Sequence, residues 1–558
     1  MSAALLTGFA VWAGLSMTWA PSAEKAFLEL ARVLLYLGLF LVAATLGVSG
    51  QGRFVGGGLA LGIVGVGTIA LLSRFTPDLV SPGPLADTIA SARSRLSFPV
   101  DYWNGLAMLV GFSVPLLLSV AVTARGILLR SAAIAPLPAA AAVSYLASSR
   151  GGFLVIAVGF LLFLGLTNRR WSAAIAGAVG AAGAAAAVLM LAERPALVET
   201  PLSSAGRAEA GKAGLLLLGI CILTGLTYGL VRAVPLRRSP PAALGWGTVV
   251  VVIALSAAAV VSAQPLERFE EFRRVPSSTP PTVEGHLLTL SSTGRWQQWE
   301  AAIDQFRSEP LHGGGAGSWG AWWLQHGEIR GFVSEAHSLY LEVLGELGLV
   351  GLALLAGALF IAFGSGAMAA LRQRGELAGI TAAAGGYLAG ASIDWLWELT
   401  VVSVVGIVCL GLAASAYPTG GRRVASRGVR LGLAAAAVAA LTLQSIPLLV
   451  HTKLRQSERA VARGDIRAAI TAADAAAGVA PWATSPYLQL ALVSETAGAL
   501  PAAQRHLENA LQRDSADWRL WLVAARFHVK QGNLAAAQNA LSNARKLNPK
   551  SPLLAPPQ

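Results

Sequence analysis

The chain has 558 residues, of which 55% are hydrophobic and only 13% charged, and its formal net charge is +13. Soluble domains carry about 25% charged residues, so the composition excludes a water-soluble enzyme and indicates a polytopic membrane protein. The basic excess is mostly arginine placed between apolar runs, which excludes a nucleic-acid-binding face and fits the charge bias of membrane connections.

Apolar runs of about 17–25 residues, some of them shorter, recur about thirteen times. The first five are near Ala3–Trp19, Val33–Val48, Phe54–Leu72, Tyr102–Val122 and Ile127–Leu146. Four more follow near Gly151–Leu166, Trp171–Leu191, Ala213–Val231 and Leu244–Ala263. After a long polar stretch come Leu339–Phe363, Leu377–Ile393, Leu399–Tyr417 and Val429–Val450. The first run has no basic leader and is expected to be a retained helix. Cys221 and Cys409 each fall inside an apolar run and are expected to pack there, with no disulfide framework and no zinc site.

Every second connection is short and bears arginine: Arg53; Arg125 and Arg130; Arg169 and Arg170; Arg232, Arg237 and Arg238; Arg372 and Arg374; Arg422, Arg423 and Arg427. These are expected on the cytoplasmic side of the inner membrane. The other connections, including the long 264–336 loop, then face outward. An odd number of spans puts everything after residue 451 outside as well.

The outward segments hold the candidate chemistry. Ser148-Ser149-Arg150-Gly151-Gly152 places an arginine on the side that the charge rule disfavours, where it either snorkels to the interface or serves a ligand. Tyr102-Trp103-Asn104 opens a helix at the same end and reads as an aromatic belt. Asp394-Trp395-Leu396-Trp397-Glu398 is either a structural helix break or a source of carboxylates that orient a reacting group. Within the long loop, Trp296, Trp299, Ile303 and Phe306 predict an amphipathic helix over 294–307, its aromatic face packing on the membrane domain or stacking on sugar. Gly313-Gly314-Gly315-Ala316-Gly317 is no nucleotide loop, because no Lys-Ser/Thr follows and no strand precedes it. His337 stands where the polar loop meets an apolar run, and helical spacing aligns it with Tyr340, Leu341 and Leu344. It is either an interfacial capping residue or a group that exchanges protons near neutral pH.

From Thr452 onward an alanine-rich, charged helical region repeats every 34 residues, the tetratricopeptide period. Gly464, Gly498 and Gly532 are in register, as are Ala468, Ala502 and Ala536, and then Ala476, Ala510 and Ala544. The predicted fold is therefore all-α: a membrane bundle of 12–13 transmembrane helices, about the number of apolar runs, with a C-terminal α-solenoid of repeats. The expected divisions are an N-terminal bundle over 1–263, the extracytoplasmic loop over 264–336, membrane helices over 337–451 and repeats over 452–558.

One stretch carries a family resemblance. Arg295, Trp296 and Trp299 open a helix; Pro310, Gly313, Gly315 and Gly317 form a cluster; His337, Tyr340 and Leu341 run into Glu346, Gly348 and Gly351. This pattern resembles the core of the O-antigen ligase and polymerase superfamily, integral membrane enzymes that move glycans off polyprenyl diphosphate carriers. Ser338 stands where the family often has Asn after the histidine, so amide contacts do not carry over. The resemblance implies His337 as general base, with Arg150 and Arg295 on the donor diphosphate. Tyr340, Trp299 and Asp394 are the expected substrate-contacting residues. It also implies a lipid-linked donor, an acceptor hydroxyl on lipid, glycan or protein, and no metal or other cofactor. The repeats suggest a protein partner. The rival readings are a multi-pass transporter or exporter, and a membrane-anchored repeat scaffold in a polysaccharide assembly complex. Few charges fall at mid-span and no two halves correspond, which disfavours the transporter.

Overall fold

The computed structural model describes residues 1–48, 50–81, 83, 93–233, 247, 250, 254, 265–275, 282–289, 291–330, 333–372, 375, 377–415 and 427–554. Apolar runs without internal breakers become helices, because in a bilayer every backbone N–H and C=O must find its partner within the segment. The first helices are α1 (Ser2–Leu15), α2 (Ala23–Val48), α3 (Gly52–Phe75) and α4 (Trp103–Thr123). The run at Ile127–Leu146 is two helices, α5 (Ile127–Ile134) and α6 (Leu137–Leu146), parted at Pro136. Then follow α7 (Arg150–Leu166), α8 (Arg170–Ala192), the short α9 (Pro195–Glu199) and α10 (Ser204–Ala233).

Among the described residues seven helices are long and apolar enough to cross a membrane, counting α5 with α6 as one, and four apolar helices are shorter. The span expected at Leu244–Ala263 lies almost wholly outside the described residues. One boundary differs from expectation: α2 begins at Ala23, not near Val33. It therefore carries Glu24, Lys25, Glu29 and Arg32 in its first turns; Glu24, Lys25 and Arg32 are held there by partners on other segments and Glu29 by Arg32.

Helix α4 lies at the centre, almost all of its side chains buried, and packs on α3, α5, α6, α7 and, from the C-terminal half, α16 (Leu377–Ala391). Small residues permit the close approaches. A Cβ on Gly152 of α7 would come within 2.6 Å of Ala107 Cβ, and one on Gly379 of α16 within 2.7 Å of the Pro115 carbonyl oxygen.

The polar loop contributes α11 (Pro265–Arg273), α12 (Val283–Leu288), α13 (Arg295–Ser308) and α14 (Trp319–His326). Next is α15 (Leu339–Leu371), which is two helices meeting at Gly348 (φ 64°, ψ −166°). Only glycine adopts that backbone readily. The chain turns so sharply there that Tyr340 stacks on Phe360 with ring centroids 6.0 Å apart. Helix α17 (Thr400–Ala414) completes the bundle, and α18 (Arg427–Ala462), which contains the run expected at Val429–Val450, leads into the repeats.

The repeat helices are α19 (Ile466–Val479), α20 (Ser485–Thr496), α21 (Leu500–Arg513), α22 (Trp518–Lys530) and α23 (Leu534–Leu547). Gly464, Gly498 and Gly532 share the left-handed backbone, φ 74–76°, that turns the chain between paired helices. Ala469, Ala503 and Ala537 are buried where helices cross. The array docks on the bundle through its corners. Glu24 accepts from the backbone N–H groups of Thr484 (2.7 Å) and Ser485 (2.9 Å), capping α20, and Phe27 packs on Trp482 with centroids 5.1 Å apart. Lys25 pairs with the buried Asp514 at 3.8 Å, and Lys550 donates to the Gly327 carbonyl.

Candidate functional site

Asp394 is the hub of the site. It lies in the turn between α16 and α17 and is fully buried. Its Oδ1 accepts from the Tyr102 hydroxyl (2.7 Å) and the Trp395 N–H (2.9 Å). Its Oδ2 accepts from Asn104 Nδ2 (3.0 Å) and Arg295 Nη2 (2.8 Å). The segment that composition marks as an aromatic belt thus supplies two of the four donors, and the break after α16 supplies the acceptor. Burial works against the Arg295 charge, but Asp394 and Tyr102 more than offset it, so the guanidinium holds its proton more firmly than a free arginine. Burial, then Asp394, pushes the Tyr102 phenol well up, so it stays a donor.

Arg150 begins α7, whose N-terminus is capped by Ser149 Oγ accepting from the Gly152 N–H at 3.1 Å. Its guanidinium donates to the carbonyls of Thr289 and Ser291 (2.8 Å to the latter), in the strap that joins α12 to α13. Arg150 and Arg295 repel each other across the site, and Arg95 repels both. His286 on α12 is buried and is acted on by all three arginines; burial first and then these charges hold its pKa down to about 4. Two buried nitrogens here, Arg295 Nε and His286 Nδ1, have no hydrogen-bond partner among the described residues.

His337 sits before α15, not on it, in the left-handed region at φ 55°. The helical alignment with Tyr340 expected from spacing is therefore corrected: the helix starts at Leu339, and the two side chains diverge. Tyr340 donates to the Leu388 carbonyl on α16 at 3.3 Å. His337 Nδ1 is 3.1 Å from the Glu335 carbonyl, which only accepts, so Nδ1 carries the proton and Nε2 keeps its lone pair. Burial, reinforced by Arg295 and opposed by Asp394, lowers the imidazole pKa below its usual value. The ring lies edge-on to Trp395, the neighbour of Asp394, with centroids 6.4 Å apart. Trp299 Nε1 donates to the His337 carbonyl at 3.3 Å, so Trp299 helps hold the strained residue. The buried face of α13 is Gln297, Gln298, Ala301, Ala302 and Gln305. The aromatic face expected to pack on the bundle instead meets α11, where Trp296 lies against Phe269 at 5.3 Å.

The glycine cluster and the Glu-x-Gly-x-x-Gly run are two halves of one device. Gly314 N–H donates to the Gly345 carbonyl (3.1 Å), Gly315 N–H to that of Glu346 (2.7 Å) and Leu349 N–H to that of Pro310 (2.9 Å). The Glu346 carboxylate accepts from the N–H groups of Gly317 and Trp319, both at 2.8 Å, at the start of α14. A Cβ on Gly313 would lie 2.3 Å from the Glu346 carbonyl carbon, and one on Gly348 2.3 Å from the Leu311 oxygen. The residues between these halves, His337 among them, are closed into a loop with a fixed base.

A second polar cluster lies beside the first. Glu335, Glu342 and Glu398 bring one carboxylate oxygen each within 4.8 Å of the others, a set that can hold a cation. Arg32 pairs with Glu29 and with Glu398. Glu342 also accepts from the Ala336 N–H at 2.7 Å, immediately before His337. Burial, then Glu29, pushes Glu398 well above the usual carboxylate range. Of this cluster only Glu398 stood out in the sequence, as a carboxylate at a helix break, because the members come from α2, the long loop, α15 and the turn before α17.

Of the six residues singled out in the sequence, Arg150, Arg295, Asp394 and His337 fall into one connected region, with Arg295 the member that acts on the other three. Trp299 touches it through the His337 carbonyl, whereas Tyr340 is turned to the Leu388 carbonyl on α16 and to Phe360. Arg95 and His286 went unnoticed in the sequence. Arg95 carried the signal that drew attention to Arg150: an arginine in a connection expected to face outward.

These features define a polytopic α-helical membrane protein with an arginine-rich polar site at one end of the bundle and a repeat array docked on that end. Residues 209–356 match the family model described as O-antigen ligase, and residues 495–555 match that of the tetratricopeptide repeat. The chain thus carries an O-antigen ligase domain with tetratricopeptide repeats at its C-terminal end. No curated protein matches it.

Proposed function

We propose that the protein transfers a glycan from a polyprenyl diphosphate carrier to an acceptor hydroxyl on the outer face of the inner membrane. The observation that carries this reading is the convergence of Arg150 with Arg295 and His337, the latter two inside the region that matches the O-antigen ligase model, and an Nε2 on His337 with no partner among the described residues. The acceptor O–H gives its proton to His337 Nε2 while its oxygen bonds to the anomeric carbon. The bond from that carbon to the phosphate oxygen breaks, and its electron pair leaves on the diphosphate. Guanidiniums suit that leaving group, because they bind phosphate bidentately and never deprotonate. A positioned general base contributes about 10²–10⁴ in rate. Asp394 is enclosed, with both oxygens already in use, so in this reading it positions Arg295 and does not touch substrate. No step requires a metal.

The arginine alternation supports an outward placement of this end, and the repeats docked there suit a protein acceptor or an assembly partner. The test is deletion of the protein in its own cells. Lipid-linked glycan should accumulate, and restoring the wild-type chain but not His337→Ala should clear it. Unchanged lipid-linked glycan after deletion would favour a scaffold or a transporter.

A further inference from the structure

We propose that Arg95 is a third guanidinium of the diphosphate site, completing with Arg150 and Arg295 a pocket matched to a doubly charged diphosphate diester. This rests on the donor reading above and goes beyond it by adding a residue that neither the sequence pattern nor the matched region, 209–356, contains.

Three contacts fix Arg95 in place. The buried Arg74 at the end of α3 donates to the Ser94 carbonyl at 2.6 Å and, with its other amino group, to the Leu197 carbonyl at 3.2 Å, pinning the backbone just before Arg95. On the other side, the Leu96 N–H donates to the Leu146 carbonyl at 2.9 Å. That bond ties the Arg95 segment to the end of α6, four residues ahead of Arg150. The Arg95 guanidinium lies over the Trp103 ring, 5.1 Å from its centroid. Trp103 stands between Tyr102 and Asn104, the two residues that hold Asp394 and through it Arg295.

Among the described residues Arg95 has no carboxylate partner, while Arg295 has Asp394 and Arg150 has only backbone carbonyls at hydrogen-bond distance. Among the described residues, three guanidiniums against one buried carboxylate leave two positive charges in a half-buried place, with the solvent-exposed Glu271 acting on Arg150 from outside. A structural array would compensate them, because unpaired charge away from bulk water is costly. A glycan–diphosphate–lipid diester carries one negative charge per phosphate, two in all, and neutralises the site. On transfer the diphosphate becomes a monoester and gains further negative charge, so a third guanidinium also favours departure. His286, buried and facing the same three arginines, stays neutral while the site is empty and can donate a hydrogen bond without adding charge.

The full-length protein, purified in detergent, is titrated calorimetrically with farnesyl diphosphate, inorganic pyrophosphate and farnesyl monophosphate. Arg95→Gln should weaken the diphosphates about tenfold to a hundredfold and the monophosphate at most about threefold, with Arg95→Lys intermediate. Loss on both diphosphates assigns Arg95 to the head group whatever its source; loss on the farnesyl probe alone assigns it to the lipid-linked form. Equal loss on all three probes, or binding within about twofold of wild type, would overturn the proposal and leave Arg95 as a partner of Trp103. Wild-type protein that binds no diphosphate would sink the donor reading itself. Arg95→Lys, which retains the contact with Trp103, serves if the glutamine variant does not fold.

Discussion

The Arg295–Asp394 pair is the most exacting place to perturb this site. Asp394 is fully buried and its two oxygens accept four hydrogen bonds, one of them from a guanidinium whose side chain is 21% exposed. Asp394→Ala removes the counter-charge and leaves Arg295, Tyr102 and Asn104 facing an empty space. Breaking a buried ion pair by deleting one partner costs about 3–5 kcal/mol. The partial exposure of Arg295 lets water reach it and argues for about 3 kcal/mol, at the low end of that range. Arg295→Ala leaves the carboxylate with three neutral donors and should cost about 2–3 kcal/mol. The double variant removes both charges, so its cost should fall short of the sum by about 2 kcal/mol, a coupling within the span seen for residues in contact. Unfolding of all four proteins in one detergent measures the cycle, and donor titration run alongside should show Asp394→Ala binding weakly although its own carboxylate touches no substrate. Strict additivity of the two single costs would refute the pair as the support of the site.

The remaining predictions concern the proton and the topology. His337→Ala should leave diphosphate binding near wild type and slow transfer about 10²–10⁴-fold, whereas Arg150→Lys and Arg295→Lys should weaken binding despite unchanged charge; equal loss of binding in all three would make His337 a binding residue. Because His337 titrates below its usual value, transfer should hold its rate down through pH 6.5 and fall only at more acid pH. His286 has a folded pKa of about 4 against 6.5 when free, so the unfolded chain binds more protons between those values. The empty protein should therefore lose about 1–2 kcal/mol as pH falls from 6.5 to 4, the full shift being discounted for partial solvation, and His286→Gln should flatten that part of the melting curve. Finally, a cysteine at the exposed Ser515 should react with an impermeant thiol reagent in intact cells; reaction only after lysis would reverse the orientation of the bundle.

Periodicity and composition carried the bundle and the repeat array, because membrane helices and 34-residue repeats are local patterns. The glycine cluster and the Glu-x-Gly-x-x-Gly run were legible as motifs, but their purpose was not, since each half is the docking partner of the other across more than 30 residues. The extension of α2 back to Ala23 was hidden because Glu24, Glu29 and Arg32 lower its hydropathy. The partners of Glu24 and Arg32 on other segments, Thr484, Ser485 and Glu398, are hundreds of residues away. The face of α13 was misread for a related reason. Aromatic residues mark the usual buried face, yet here Gln297, Gln298 and Gln305 face inward, where Gln297 meets the Arg273 carbonyl and Gln305 meets Ser318. Hydrogen bonds between distant segments leave no period in a sequence.

The same geometry explains why a histidine with strained backbone suits this place. His337 adopts a left-handed conformation that costs a non-glycine residue about 1–3 kcal/mol, so it persists only where neighbours over-determine it. They do so from three directions: the Trp299 indole on its carbonyl, Glu342 on the N–H of the preceding Ala336, and the Pro310–Gly315 backbone ladder beneath α15. None of these contacts uses Nε2. The strained backbone turns the imidazole away from the helix that follows and toward Trp395, beside the Asp394 hub, with no partner on its acceptor nitrogen among the described residues. A histidine on the helix itself, as spacing alone implies, would share the face of Tyr340 and sit against α16. Placing it one turn early, in the loop that the glycine device closes, is what brings a histidine and a set of arginines from separate segments into one region.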